Sequence, residues 1–178
     1  AALMMRILGP SSAGDYYYAT KIFVWFDILT NFGLNTYLTR EVSKDPEYAR
    51  RYLTNTTLIR LGLSAVAVPV LLGFLGVRQT VIASITTAAS SQVVLAIVLL
   101  YVGLVPNSIS TGLTALYYAY EKAEYPAAIT TVTSLLRVTV QTLALVVGWG
   151  IVGLAGTSIL INLVTLAILL GLAWRLFP

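Results

Sequence analysis

Apolar positions along this chain come in long unbroken runs, not in the strict alternation that marks a half-buried strand. Five runs stand out, over about 15–38, 53–75, 91–119, 126–147 and 151–174. Each is near the roughly 20 residues an α-helix needs to cross a hydrocarbon core. Breaks separate them. Gly9-Pro10-Ser11-Ser12-Ala13-Gly14 is a cluster of turn-forming and small residues, with Asp15 placed as an N-cap ahead of the first run. A polar stretch, Thr39 to Arg51, contains Asp45-Pro46-Glu47, the signature of a new helix start. Val77-Arg78-Gln79 reads as a short turn, Tyr120 to Tyr125 as a charged loop, and Gly148-Trp149-Gly150 as a tight turn. Pro106 falls inside the third run and predicts a kink that a membrane bundle can tolerate. Residues 1–8 read as the end of a truncated first helix. No strand pattern competes and no soluble domain fits. The expected fold is an all-α polytopic membrane bundle, one unit over 1–178.

Composition strengthens that reading. The chain is 58% hydrophobic and only 10% charged, where a soluble domain carries about 25% charged residues. It has no cysteine and no histidine. Disulfides, thiolate metal sites and nucleophile–histidine arrangements are therefore excluded, and neither a metal nor a cofactor is expected. No cleavable signal peptide is visible, because Ala1-Ala2-Leu3-Met4-Met5-Arg6 lacks a basic flank before its apolar run.

The net charge of +4 reflects topology, not nucleic-acid binding. Alternating the loops puts Arg40, Lys44, Arg50, Arg51, Lys122 and Arg175 on one side, against only Arg6 and Arg78 on the other. The positive-inside rule then places loops 39–51 and 120–125 in the cytoplasm. Tyr16, Tyr17, Tyr37, Tyr120, Tyr125, Trp149 and Trp174 near span ends fit an interfacial aromatic belt.

Charges inside the spans carry the functional signal. Arg137 lies eleven residues after Pro126 and ten before Val147, about 16 Å from either end of its helix. A central Arg costs roughly 2.5–3.5 kcal/mol on insertion. Thr130, Thr133, Ser134 and Gln141 share its helix face, giving a polar stripe with a cation at the centre. Either this stripe lines a cavity, or Arg137 pairs structurally with Asp27 or with backbone carbonyls. Asp27 shares a face with Tyr16, Thr20 and Asn31, while Lys21 lies about a third of a turn away. Asp27 could carry a proton or a cation, or act as a fixed counter-ion for Arg137 or Arg60. Arg60, aligned with Thr56 and Ser64, is close enough to its helix end to snorkel.

In the kinked span, Gln92, Asn107, Ser110, Thr111 and Thr114 share a face suited to helix–helix bonding. Polar faces on four helices are together what a hydrated cavity requires. Asn55-Thr56-Thr57 matches a glycosylation acceptor but falls on the expected cytoplasmic side. Arg50-Arg51 could touch anionic headgroups, though a cytoplasmic anchor is the simpler account. The titratable groups are too few and scattered for acid–base catalysis, so no enzyme is expected.

Leu8-Gly9-Pro10, Gly14-Asp15-Tyr16-Tyr17, Phe32-Gly33-Leu34-Asn35, Arg40-Glu41-Val42 and Asp45-Pro46-Glu47, in that order and spacing, resemble the amino-terminal signature of bacterial polysaccharide flippases. These translocate lipid-linked oligosaccharides for O-antigen and exopolysaccharide synthesis and are relatives of multidrug-and-toxin-extrusion transporters. The match covers roughly residues 6–60. It implies one lobe of a two-lobe transporter in the bacterial cytoplasmic membrane, with half of a central cavity, so that this chain alone is not expected to transport. It also implies a cargo, an oligosaccharide on undecaprenyl diphosphate, and as partners the bilayer, a second helical lobe, and glycosyltransferases or a polymerase. On that reading Arg137, helped by Arg60 and Lys21, draws in the diphosphate. Gln141, Asn31 and Asn107 contact sugar, and Asp27 is the candidate for the coupling ion. A cation-coupled drug exporter and a non-transporting scaffold for polysaccharide assembly are the alternatives.

Overall fold

The computed structural model describes residues 2–77 and 91–176. All of its elements are helical: α1 (Ala2–Asn31), α2 (Leu34–Lys44), a 3₁₀ turn (Pro46–Tyr48), α3 (Ala49–Val77), α4 (Ser91–Val102), α5 (Leu104–Ala119), α6 (Glu124–Val146) and α7 (Gly150–Leu176). Residues 78 and 79 of the expected turn lie outside the described part. Among the described residues four stretches are long and apolar enough to cross a membrane: Pro46–Val77, Ser91–Ala119, Glu124–Val146 and Gly150–Arg175. This is a multi-pass membrane protein. α1 is long enough but falls short in apolarity, since Lys21, Asp27 and Asn31 interrupt its surface.

Two sequence expectations need correction. The break at 9–14 is confined to Gly9, whose backbone leaves the helical region (φ 80°, ψ 164°). Pro10 then restarts the helix, because its fixed φ suits a first helical position and its missing N–H would find no partner there. Asp15 therefore lies inside α1 and caps nothing. The second correction is larger. The first run does not reach residue 38, and Thr39 to Arg51 is not a loop. α1 ends at Asn31, Gly33 takes a left-handed conformation (φ 67°), and an amphipathic helix follows.

That short helix, α2, is held by its sparse apolar side and by two hydroxyls. Leu38 and Val42, one turn apart, are buried against Ala49, Ala115 and Leu116. Thr39 Oγ1 donates to the Ala115 carbonyl (3.1 Å), and Ser43 Oγ shares its proton between the Thr39 carbonyl of its own helix (2.8 Å) and the Ala119 carbonyl (3.2 Å). The Ala119 carbonyl is among the last four of α5, which a helix leaves without a partner of its own.

The left-handed geometry at Gly33 disfavours any side chain with a Cβ by about 1–2 kcal/mol. Gly33→Val is expected to lower the melting temperature in detergent by roughly 2–8 °C. Gly62→Ala, in open space on helical backbone in α3, is expected to leave it unchanged or raise it. A thermal scan of both variants checks this.

The third run is two helices. α4 and α5 part at Gly103, three residues before Pro106, because Pro106 has no N–H for the carbonyl one turn upstream and its ring crowds that position. Residues of five helices close the main core, α5 contributing Leu104. Ala19 and Phe26 of α1, Ala67 and Leu71 of α3, Ala96 and Leu100 of α4, and Ile151 and Ala155 of α7 all pack there. Alanine at such contacts lets helix backbones approach, which is how helices associate where lipid is as apolar as leucine. The outer surface carries Trp25, Val66, Leu135 and Trp174, all well exposed and suited to lipid contact.

Candidate functional site

α5, α6 and α7 each bring one polar stripe to a common cleft. On α6 the stripe is Thr130, Thr133, Ser134 and Arg137, at helical spacing. On α5 it is Asn107, Ser110, Thr111 and Thr114, and on α7 Asn162 and Thr165. Together they line a cleft of about 420 Å³, with Ile129 and Leu169 among its apolar walls. A second, smaller cleft of about 170 Å³ adjoins it, lined by Tyr16 and Thr20 of α1 with Gln141 and Ser158. Asn107, Arg137 and Asn162 belong to both. The cation therefore stands at the junction of the two.

Arg137 is exposed. Its Nη2 donates to Asn162 Oδ1 at 3.1 Å. Asn162 in turn donates from Nδ2 to the Gly103 carbonyl at 3.1 Å, so the break between α4 and α5 orients the amide that orients the guanidinium. One protein hydrogen bond occupies one of the five N–H donors of a guanidinium, and the only ion pairs among the described residues are those of Glu41 with Arg40 and Lys44. Arg137 thus has most of its fork turned to the cleft and no carboxylate to neutralise it. Lower on the same face, Gln141 Nε2 donates to Ser158 Oγ at 3.1 Å.

Asp27 forms a salt bridge with neither arginine, though it and Arg60 are near enough for their charges to act on each other. Its Oδ1 accepts from Asn31 Nδ2 (2.8 Å) and from Asn107 Nδ2 (2.9 Å). Asn107 is thereby shared between the carboxylate and both clefts, while Asn31 Oδ1 is buried without a hydrogen-bond partner. Arg60 lies apart and is sealed: it is 1% exposed. Its Nη1 donates to the Ser108 carbonyl (2.7 Å) and its Nη2 to Asn35 Oδ1 (2.5 Å). A Cβ on Gly112 would stand 3.1 Å from Nη1, so any other residue there would make the guanidinium give by a few tenths of an ångström. Arg60 does not snorkel and lines neither cleft. Lys21 is exposed on α1 and also lines neither. Of the residues singled out from sequence, Arg137, Gln141 and Asn107 meet at the clefts; Asp27 and Asn31 reach them through Asn107.

Asn162 is the residue that reading the sequence passed over. It stands in a helix of mean hydropathy 2.2 over its most apolar stretch, and Ser158 and Thr165 share its face at helical spacing. That spacing was the available signal.

A family model described as polysaccharide biosynthesis protein matches residues 1–177. No curated protein and no solved structure matches the chain.

Proposed function

We propose, for a chain that belongs to the polysaccharide biosynthesis protein family, that it forms one lobe of a flippase moving undecaprenyl-diphosphate-linked oligosaccharide across the bacterial cytoplasmic membrane. The observation that carries this reading is an arginine in mid-span, without a carboxylate partner, at the junction of two polar clefts. An arginine used only for packing is closed off by protein acceptors, as Arg60 is by the Ser108 carbonyl and Asn35, whereas Arg137 is exposed and keeps a single bond, to Asn162. A diphosphate supplies the missing counter-charge, and the planar fork matches its oxygens two at a time.

The neutral part of the cleft suits sugar. Each hydroxyl moved into hydrocarbon without a partner costs roughly 4–8 kcal/mol, and the Thr, Ser and Asn groups of α5, α6 and α7 offer donors and acceptors along the way. A second helical lobe would supply the facing wall, and rocking of the two lobes would alternate access. Asp27, one helix behind the cleft and tied to it through Asn107, is the candidate for proton or cation coupling. Loops on the side of Arg40, Arg50, Arg51 and Lys122 face the cytoplasm on this reading, where glycosyltransferases or a polymerase would assemble the cargo.

A drug exporter of the same architecture would need an acidic cleft to attract cations, and here the charge lining the cleft is positive. The test is reconstitution of the intact protein in vesicles, with loss of a fluorescent lipid-linked oligosaccharide from one leaflet as the readout. Movement of that probe, without movement of a lipophilic cationic dye, is the expected result. Transport of the dye alone would sink the assignment.

A further inference from the structure

Away from the polar clefts, the elbow between α2 and α3 holds a different kind of site. The 3₁₀ turn Pro46–Tyr48 sends the chain from the amphipathic α2 into the membrane-spanning α3. The rings of Tyr37 on α2 and Tyr52 on α3 meet edge to face, centroids 6.5 Å apart. Beside them opens a cleft of about 670 Å³. We propose that this cleft binds one anionic glycerophospholipid, its phosphate on Arg51 and the start of its acyl chains along Ile59 and Leu34.

The argument is the order of chemistry down one face of α3. Arg51, Asn55 and Ile59 are spaced by four residues and all line the cleft. They run from a cation through an amide to an apolar side chain over about 12 Å. A glycerophospholipid presents the complementary series of phosphate, ester and methylene. Leu34 on α2 adds a second apolar wall at the deep end, and the Tyr48 ring stands at the rim, where aromatic side chains favour the headgroup level.

The charge is available. Arg51 is exposed and is absent from the ion pairs of the described residues, which involve only Glu41 with Arg40 and Lys44. A shallower cleft on its other side adds Arg50 and one carboxylate, Glu47, so the rim keeps a positive balance. A topological anchor needs basic residues and nothing more. A cleft graded from cation to hydrocarbon is the added feature, and it favours a lipid over a soluble anion.

The purified intact protein would be titrated in detergent with dioleoyl phosphatidylglycerol or dioleoyl phosphatidylcholine, and the first bound lipid counted by native mass spectrometry. Phosphatidylglycerol is expected to bind at least about fivefold more tightly, as one well-placed arginine near a membrane surface supports. Arg51→Gln should erase that preference, whereas Arg175→Gln, removing the same charge from the end of α7, should keep it. A thermal scan of Arg51→Gln checks that it is folded, which its exposure favours. Ile59→Asn should weaken phosphatidylglycerol binding while glycerol phosphate alone fails to compete. Equal binding of the two lipids, an equal loss in Arg51→Gln and Arg175→Gln, or competition by glycerol phosphate would each overturn the proposal. None of these outcomes depends on the flippase reading.

Discussion

Arg137→Ala in the intact protein is expected to cut lipid-linked oligosaccharide flipping by roughly 10–100-fold, since a charge-assisted contact contributes about 1.5–3 kcal/mol. The same change should leave the folded protein as stable as before or more so. It severs a single bond, to Asn162, and removes an insertion cost of roughly 2.5–3.5 kcal/mol. Arg137→Lys should fall between, because an ammonium keeps the charge but loses the fork. Flipping assays in vesicles, read beside melting temperatures, separate the two effects. A loss of stability equal to the loss of flipping would make Arg137 a structural residue.

Arg60→Ala is expected to behave in the opposite way. It should lower stability by on the order of 2–4 kcal/mol, or about 5–15 °C in melting temperature. The Ser108 carbonyl and Asn35 Oδ1 lose their shared partner, and the space beside Gly112 is left empty. Since Asn35 sits in the first turn of α2, just after the left-handed Gly33, the start of that helix loses the one link that runs through Arg60 to α3 and α5. Gly112→Ala should destabilise in the same direction by less, since the guanidinium must give by a few tenths of an ångström. Thermal unfolding in detergent measures both. An Arg60→Ala protein as stable as the wild type would show that the seal contributes nothing.

The contrast between these two arginines shows what the sequence could and could not reveal. Hydropathy alone exposes the membrane class, because a chain 10% charged has no other solvent for most of its surface. Mid-span position alone singles out Arg137, and its stripe of Thr, Ser and Gln follows from helical periodicity. The burial of Arg60 was not legible. It depends on an amide 25 residues upstream and a carbonyl 48 residues downstream, brought together only by the packing of three helices. Local pattern misled most at 39–51, where α2 presents just Leu38 and Val42 to the core and otherwise reads as a polar loop. At the other interruption, Pro106 located the break to within one turn, since a missing N–H acts on the carbonyl before it. Asn162 hid for a simpler reason: one amide in a strongly apolar run looks like an isolated helix-packing residue until its partners on α6 and at the break between α4 and α5 are known.

The central claim is that Arg137 stands in a hydrated path that the cargo occupies. Solvent access at that position tests it most directly, because the chain has no cysteine of its own. Arg137→Cys in the intact protein would be treated with a membrane-impermeant thiol reagent, beside Leu135→Cys, which faces outward on the same helix and is 67% exposed in the isolated bundle. The account predicts labelling at 137, protection there by lipid-linked oligosaccharide, and none at 135. An unlabelled 137 in a folded protein, or equal labelling at both positions, would contradict it.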